Sequence, residues 1–269
     1  MEITGLRIYP VKSLAGEQVR EAAVERWGLA GDRRWGLVDE AGEKVTAREL
    51  RALLGLRAQQ VDATTIKIHD ASGASIPVEA PLGLRPLPVG HARQGSANPA
   101  EEDVNRWISE RVGQSLRLIW QEDPGLRRVS AAHGGQDGDA LSLADAGPLL
   151  LTSEASLNRL REWVGEVWSE EDPRVSMLRF RPNVVIDGDA PFAEDGWPTV
   201  RLGEVEFRTS EICDRCVMTL VHPETLQGGK EPIATLSRHR KWDGKTWFGT
   251  RLIPLGTGVL HVGDEVVPG

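Results

Sequence analysis

Hydrophobic and polar residues alternate through much of the first third of the chain, which is the pattern of half-buried β-strands. We predict strands at residues 3–9, 19–27, 35–38, 44–47 and 61–69. The last third returns to this pattern at residues 183–186, 200–207 and 248–267, with turns at Gly256, Gly258 and Gly263. Short strands separated by glycine-containing turns favour a β-barrel or a β-sandwich over a helical bundle.

Two segments in the middle of the chain carry apolar residues at helical spacing. Residues 101–112 and 153–164 each place these positions on one stripe, and Ser153 stands where an N-cap is expected. Residues 129–144, which lie between them, are rich in glycine and aspartate and have no periodicity, so we expect a mobile loop and a domain seam there. The pattern therefore predicts a β-rich α+β fold with a few helices.

Two further features of this region are interpreted as structural. Tryptophans in and after the predicted helices are expected to serve as packing residues: Trp107, Trp163 and Trp168. The acidic run at residues 170–172 is expected to be a solvated surface and not an acid–base pair.

The overall charge and the sparing use of cysteine exclude several classes of protein. The formal net charge of −8 argues against a general nucleic-acid binder, although a few arginines can still create a local anion site. No apolar run of about 18 residues is present, so we expect no membrane span, and the first residues show no signal peptide. Two cysteines exclude a disulfide scaffold and an iron–sulfur cluster held by this chain alone. We therefore expect a cytoplasmic protein.

Both cysteines lie in one short segment, residues 211–219, with Cys213 and Cys216 separated by two charged residues. Three interpretations of this segment stay open on sequence grounds. The thiols are buried structural residues, or they are half of a zinc site completed by His222 and His239 at an unusual spacing. In the third interpretation one thiol is a reactive or metal-bound thiolate, favoured by the adjacent Arg215, with a dithiol redox switch as a variant.

Basic residues form a second candidate constellation, because they recur at strand ends and turns, where side chains converge on ligands. Lys12 and Ser13 follow the first predicted strand, Arg33 and Arg34 follow a Gly-Asp turn, and Arg179 and Arg181 flank Phe180. Arginine and lysine are the usual partners of phosphate groups. Each group taken alone is equally explained as solvated surface charge. Phosphate-loop, dinucleotide-binding, serine-hydrolase and zinc-protease motifs are absent from the sequence.

The motifs together resemble a known family. C-x-R-C-x-x-T at residues 213–219, P-E-T at 223–225, K-E-P at 230–232, F-G at 248–249 and V-G-D at 262–264 resemble the MOSC domain, the C-terminal domain of molybdenum-cofactor sulfurases. Upstream segments at residues 9–13, 31–33, 45–48, 151–157 and 180–183 are similar, in order, to the amidoxime-reducing component and its bacterial relatives. The resemblance implies a MOSC-type β-barrel domain at residues 121–269, packed with an N-terminal β-domain at residues 1–120.

The resemblance also implies roles for individual residues. It makes Cys216 the protein ligand to molybdenum and the residue at the catalytic centre. It places the organic part of the molybdenum cofactor (molybdopterin), including its phosphate, against Lys12, Ser13, Arg33, Arg181 and Asn183, and beside Asp214 and Arg215.

The resemblance implies a reductase of small N-hydroxylated compounds such as amidoximes, hydroxylamines and N-hydroxylated bases. The electrons would come from an external protein: a ferredoxin, a cytochrome b5-like protein or a flavin reductase. The alternatives are a non-catalytic carrier of the cofactor or of persulfide sulfur, and a binding module without metal chemistry. We rank the carrier lower because a full sulfurase also carries a pyridoxal-phosphate domain, for which these 269 residues leave no room.

Two segments depart from the family pattern. Relatives commonly have T-T-V-D-P after the cysteines, where this chain has T-L-V-H-P at residues 219–223. The relatives' D-T-S-P or D-G-Y-P stretch is D-A-G-P at residues 145–148. We expect both departures to affect the range of substrates more than the binding of the cofactor.

Overall fold

The computed structural model describes residues 1–91, 94–165 and 175–269 of the chain. Trp168 and the acidic run at residues 170–172 lie outside the described residues. The strands of the first half are β1 (Ile3–Ile8), β2 (Glu17–Val19), β3 (Glu21–Glu25), β4 (Gly28–Leu29), β5 (Trp35–Val38), β6 (Lys44–Val45), β7 (Arg57–Gln60), β8 (Thr65–His69), β9 (Ser75–Glu79), β10 (Leu87–Val89), β11 (Gly95–Pro99) and β12 (Arg117–Trp120).

The second half adds strands and two of the three α-helices that the described residues contain. Its strands are β13 (Leu149–Ser153), β14 (Val184–Ile186), β15 (Thr199–Leu202), β16 (Val205–Asp214), β17 (Lys241–Trp242), β18 (Lys245–Pro254), β19 (Gly258–His261) and β20 (Val266–Pro268). The helices are α1 (Glu102–Val112), α2 (Glu154–Gly165) and α3 (Ile233–His239). The predicted β-rich fold with a few helices is confirmed.

The largest sheet of the described residues joins both ends of the chain. Its order is β2-β1-β14-β13-β18-β16-β15-β20, with β17 paired to β18. A bridge between Glu2 and Glu265 connects the start of β1 to the residue before β20, so this sheet curls back on itself like a barrel. Smaller sheets have the orders β10-β11-β12-β5-β6, β7-β8-β9 and β19-β3-β4.

Two large apolar cores hold these sheets together. One lies under the β5 and β7–β9 sheets and against α1, and it includes Leu37, Ile66 and Ile108. The other fills the barrel-like sheet, where Ile3 and Leu6 of β1 pack with Phe207 of β16. The first strands of the chain therefore belong to the C-terminal core, whereas the segment from β5 to β12 builds its own. The boundary near residue 120 stays a prediction.

Several predicted elements differ from the structure in ways that side-chain contacts explain. The strand expected at residues 61–69 begins only at Thr65, because the Asp62 carboxylate accepts from the Thr64 and Thr65 amides and forms a turn. The strand expected at 200–207 is a hairpin, since the chain reverses at Gly203 (φ 55°). Residues 129–144, expected to be a mobile loop, contain packed side chains: Val129, Leu141 and Ala144 contact Ile253. Helix α3 was not predicted, because seven residues are too few for a periodic signal.

We expect a stacked phenylalanine pair near the predicted site to be essential for stability. Phe248 is fully buried, and its ring stacks on Phe180 at a centroid distance of 4.0 Å. Phe248→Ala should lower the free energy of unfolding by about 3–5 kcal/mol, because it leaves a large cavity. Urea denaturation checks this, with Leu255→Ala at an exposed position as the control, expected within about 0.5 kcal/mol of the parent. An equal loss in both variants would contradict the packing argument.

Candidate active site

One polar cavity of about 300 Å³ lies where loops of the first half meet the ends of strands of the barrel-like sheet. Every site residue predicted from the sequence lines it: Lys12, Ser13, Arg33, Arg181, Asn183, Asp214, Arg215 and Cys216. These residues come from turns after β1 and β4, from the turn before β14 and from the end of β16. The fold therefore brings together residues that are up to about 200 positions apart in the chain.

Cys216 stands just beyond the end of β16, with its side chain half-buried. Its carbonyl oxygen accepts hydrogen bonds from the Thr219 amide (3.1 Å) and from the Thr219 hydroxyl (2.8 Å). These bonds begin a 3₁₀ turn over Val217–Leu220 that holds the residue at the cavity wall. Cys213, on the strand itself, is buried. The two thiols are free and both line the cavity, and Cys216 is the more exposed of the two.

The arginine between the cysteines, Arg215, hydrogen-bonds to the buried thiol of Cys213. Arg215 Nη1 donates to Cys213 Sγ at 2.9 Å, and its Nη2 donates to the Phe180 carbonyl at 2.9 Å. Cys216 instead meets Arg48, which hydrogen-bonds to it and also donates to the Asp145 carboxylate at 2.8 Å. The charge of Asp145 is the main reason that the pKa of Arg48 is raised. Sequence adjacency pointed to Arg215, and Arg48 was missed as a site residue because it lies 168 positions away.

Lys12 is a buried cation of the site. Its Nζ donates to the Leu143 carbonyl at 2.7 Å and to Asp145 Oδ1 at 2.5 Å. Burial lowers its pKa to about 8, although Asp145 acts in the opposite direction. Burial also opposes the ionisation of Asp145, but the charges of Lys12 and Arg48 outweigh it, so the pKa of this carboxyl lies below its ordinary value. Asp145 was a second residue of the site that we did not predict.

Arg33, Arg181 and Asn183 form a connected group on the opposite wall. Arg33 donates to the Asp32 carboxylate (2.5 Å) and to Asn183 Oδ1 (3.1 Å), and Arg181 donates to the Leu14 carbonyl at 2.8 Å. Both guanidinium groups lie over the ring of Tyr9, at 4.8 and 4.3 Å from its centroid. Burial lowers the pKa of Arg181 to about 10, which still leaves it charged at neutral pH.

Three cavity residues have a left-handed backbone that side chains other than glycine rarely adopt. They are Ser13 (φ 77°), Arg33 (φ 51°) and Arg181 (φ 56°). Each such conformation costs about 1–3 kcal/mol and persists only where the surroundings enforce it. Their clustering around one cavity marks this place as functional, and neither propensity nor periodicity in the sequence reveals it.

Strand β18 contributes a cation that sequence analysis also missed. Arg251 pairs with the Glu211 carboxylate and donates to Asp214 Oδ1 at 2.8 Å. Burial opposes the charge of Arg251, but Cys213, Glu211 and Asp214 raise its pKa above the ordinary value. Conversely, Arg251 overcomes the effect of burial and lowers the pKa of Asp214.

The zinc interpretation finds no geometry to support it. Within residues 1–91, 94–165 and 175–269, no three histidine, cysteine, aspartate or glutamate side chains lie close enough to hold a metal. The His222 ring accepts from the amides of Glu224 and Thr225 and so stabilises a turn. His239 stacks on Trp163 at a centroid distance of 4.3 Å. Both histidines have structural roles away from the cysteines.

Two sequence profiles match the chain, one in its N-terminal part and one in its C-terminal part. Residues 1–115 match the profile described as the MOSC N-terminal beta barrel domain, and residues 138–267 match the MOSC domain. The chain therefore belongs to the MOSC family, in the form in which the two domains follow one another.

Particular relatives of this family cover nearly the whole chain. Mitochondrial amidoxime-reducing component 1 of Mus musculus is 33% identical over 98% of this chain and 81% of its own length. The Homo sapiens protein of the same name is 31% identical over 98% and 82%. Molybdenum cofactor sulfurase of Danio rerio is 31% identical over 99% of this chain, which spans only 34% of that relative's length.

The described helices are too short or too polar to cross a bilayer.

We expect the ammonium group of Lys12 to titrate below the ordinary range of lysine. Burial favours its neutral form, so it should lose its proton as the pH rises through about 8. Asp145→Asn should lower this pKa further, because the carboxylate favours the charged form. Reductive ¹³C-methylation followed by NMR titration checks both, with Lys12→Met assigning the resonance. An ordinary lysine titration for this resonance would refute the prediction.

Proposed function

We propose that this protein binds the molybdenum cofactor through Cys216 and reduces small N-hydroxylated compounds. The observation that carries the proposal is the half-buried thiol of Cys216 in the wall of a cavity lined by cations. A thiolate is a soft ligand that suits a transition metal, and cations suit the phosphate of an organic cofactor. The amidoxime-reducing relatives match this chain over nearly its full length, which favours the same class of reaction.

The charges of the cavity fit an anionic group. The wall carries more cations than carboxylates, namely Lys12, Arg33, Arg48, Arg179, Arg181, Arg215 and Arg251 against Asp145 and Asp214. In a chain of net charge −8, this concentration of positive charge needs a local reason. The Nε atoms of Arg179 and Arg215 are buried and have no acceptor among the described residues. Such donors fit a ligand rich in acceptor oxygens.

The chain's own residues have separable tasks in this proposal. When bound, the cofactor supplies molybdenum and the two-electron chemistry. Lys12, Ser13 and Arg181 hold its anionic part, and Asn183 orients Arg33 toward the same group through the hydrogen bond described above. Arg215 lies beside the cofactor, and Asp214 fixes Arg251 there. Cys216 holds the metal, and Arg48 lies beside it in the cavity wall.

The reaction needs electrons from outside this chain. Reducing an N-hydroxylated compound breaks the N–O bond, consumes two electrons and two protons, and releases water. We propose an external electron-transfer protein as the donor, of the ferredoxin, cytochrome b5-like or flavin reductase class. Two free thiols are compatible with a reducing compartment, and we propose that the reaction takes place in the cytoplasm.

A carrier of the cofactor or of persulfide sulfur is the second candidate. The similarity to the Danio rerio sulfurase over 99% of this chain favours it. Reduced electron carrier and benzamidoxime distinguish the candidates when they are supplied to the molybdenum-loaded protein. Formation of benzamidine supports the reductase, and a loaded but inert protein supports the carrier.

We expect Cys216→Ser to abolish molybdenum binding and Cys213→Ser to leave most of it. Cys216 stands at the ligand position of the family motif and is half-buried, whereas Cys213 is buried against Arg215. Proteins purified from cells that make the cofactor are compared by molybdenum per chain, determined by elemental analysis. Equal molybdenum in the parent and Cys216→Ser, or none in either, would refute the assignment, and equal loss in both variants would refute the ranking.

We expect Arg181→Ala to weaken retention of the cofactor. A buried charge-assisted contact is worth about 1.5–3 kcal/mol, so the half-life of the cofactor on gel filtration should fall by about tenfold or more. Arg159→Ala removes an exposed arginine of α2 and serves as the control. Unchanged retention in Arg181→Ala would remove Arg181 from the binding site.

A further inference from the structure

Residues 129–135 place one histidine at the cavity. Ala131–His133 form a short 3₁₀ turn, which begins at Ser130 and ends at Gly134 with φ 72°. A Cβ atom on Gly134 would lie 2.3 Å from the Ser210 carbonyl oxygen, and one on Gly135 would lie 2.3 Å from that of Val129. Gly134 therefore lets this loop press against β16, and Gly135 lets the loop close on itself at Val129. The loop lacks the periodicity of a regular element because its task is to deliver the side chain of His133.

His133 contacts a carboxylate that belongs to the arginine network of the site. Its Nδ1 lies 2.7 Å from Glu211 Oε1, and the same carboxylate pairs with Arg251. The contact lacks the alignment of a hydrogen bond, so it is electrostatic. Arg208 donates to the Gly134 carbonyl at 2.9 Å and pairs with Asp139 at 2.6 Å, which fixes the loop. Glu211 is the carboxylate in contact with the imidazole, and Arg251, Arg208 and Asp139 are the charged groups that pair with it or with the loop.

Other proton carriers in the cavity wall are less suited to the task. The arginines stay charged throughout the neutral range. The pKa of Asp145 is lowered, so it has no proton to give. Lys12 is buried and donates to Leu143 and Asp145. His133 is the one histidine among the described residues that line the cavity, and one third of its side chain is exposed, so it can regain a proton from solvent.

We propose that His133 is the proton donor of the reduction. The inference rests on the proposed function, since it completes the proton balance of that reaction. The imidazolium gives its proton to the oxygen that leaves as water when the N–O bond breaks. The second proton comes from solvent, both electrons come from the external electron-transfer protein, and the neutral ring is reprotonated at its exposed edge. Glu211 acts through His133 as a positioning residue, because its carboxylate lies 2.7 Å from the ring Nδ1.

The test compares His133→Gln with His261→Gln, the same change at an exposed histidine beside Glu21 and Asp264. Both holoproteins are measured for molybdenum per chain and for kcat and KM with benzamidoxime across pH. We expect His133→Gln to keep its molybdenum and its KM and to lose about 10²-fold in kcat. The parent kcat should fall as the pH rises, because a general acid must hold its proton to act, and this decline should be absent from His133→Gln. The control variant should match the parent.

Two further readouts separate proton donation from a structural role. In His133→Ala, added imidazole should restore part of the rate, which a packing defect would not allow. Long-range ¹H–¹⁵N NMR of the parent, recorded without cofactor, should show a proton on Nδ1 of His133. Glu211→Gln should shift the ring toward the tautomer protonated at Nε2, because the carboxylate that attracts the Nδ1 proton is gone.

The outcomes distinguish the two proposals. An active parent with an equally active His133→Gln and an unchanged pH profile overturns the proton donor alone. Loss of molybdenum together with activity in His133→Gln also overturns it, in favour of a structural role. A loaded parent that is inert overturns the reductase and the proton donor together.

Discussion

Mutual repulsion among the cations of one cavity is the constraint on which the site depends. Four of them are offset by carboxylates: Lys12 and Arg48 by Asp145, Arg33 by Asp32 and Arg251 by Glu211 and Asp214. Others donate to backbone carbonyls, as Arg179 does to Thr219, Arg181 to Leu14 and Arg215 to Phe180. A carbonyl positions a guanidinium without neutralising it. The cations that contact only neutral groups therefore keep their positive charge available to a ligand. The carboxylates that pair with the other cations lower the free-energy cost of placing so many positive charges in one cavity.

The barrel-like sheet supplies the rigidity that such an arrangement needs. Strands β16 and β18 are its longest elements and pair along most of their length, with irregular register at Ser210 and Cys213. The irregularity at Cys213 comes just before the loop that presents Cys216. Phe180 and Phe248 stack beneath Arg215, whose guanidinium lies 5.2 Å from the Phe180 ring centroid. An apolar stack thus stabilises the turn that carries Arg181 and Asn183.

Sequence reasoning selected residues that the fold brings to one cavity, because they stand at strand ends and within short motifs. Cys216, Lys12 and Arg181 are visible in this way, and the family resemblance implies their roles. Arg48 and Asp145 lie within family-like segments but were given no role, and Arg251 and His133 were missed, since nothing local distinguishes them from other polar surface residues. These residues lie close together because β6, β16, β18 and the glycine-rich loop meet at the cavity. Contacts between distant segments do not change the spacing of hydrophobic residues along the sequence. For the same reason the short helix α3 and the turn at Asp62 escaped prediction.

The three cavity residues with a left-handed backbone lower the stability of the fold, while their side chains face the cavity. At Ser13, Arg33 and Arg181, glycine is the replacement that would relax the backbone, and it would also delete the group that faces the ligand. A search for thermostable variants should therefore select glycine at these three positions and lose the ligand with each gain. The variants with the highest melting temperature would then contain the least bound ligand. Screens for this protein therefore need a measurement of bound ligand beside the melting temperature.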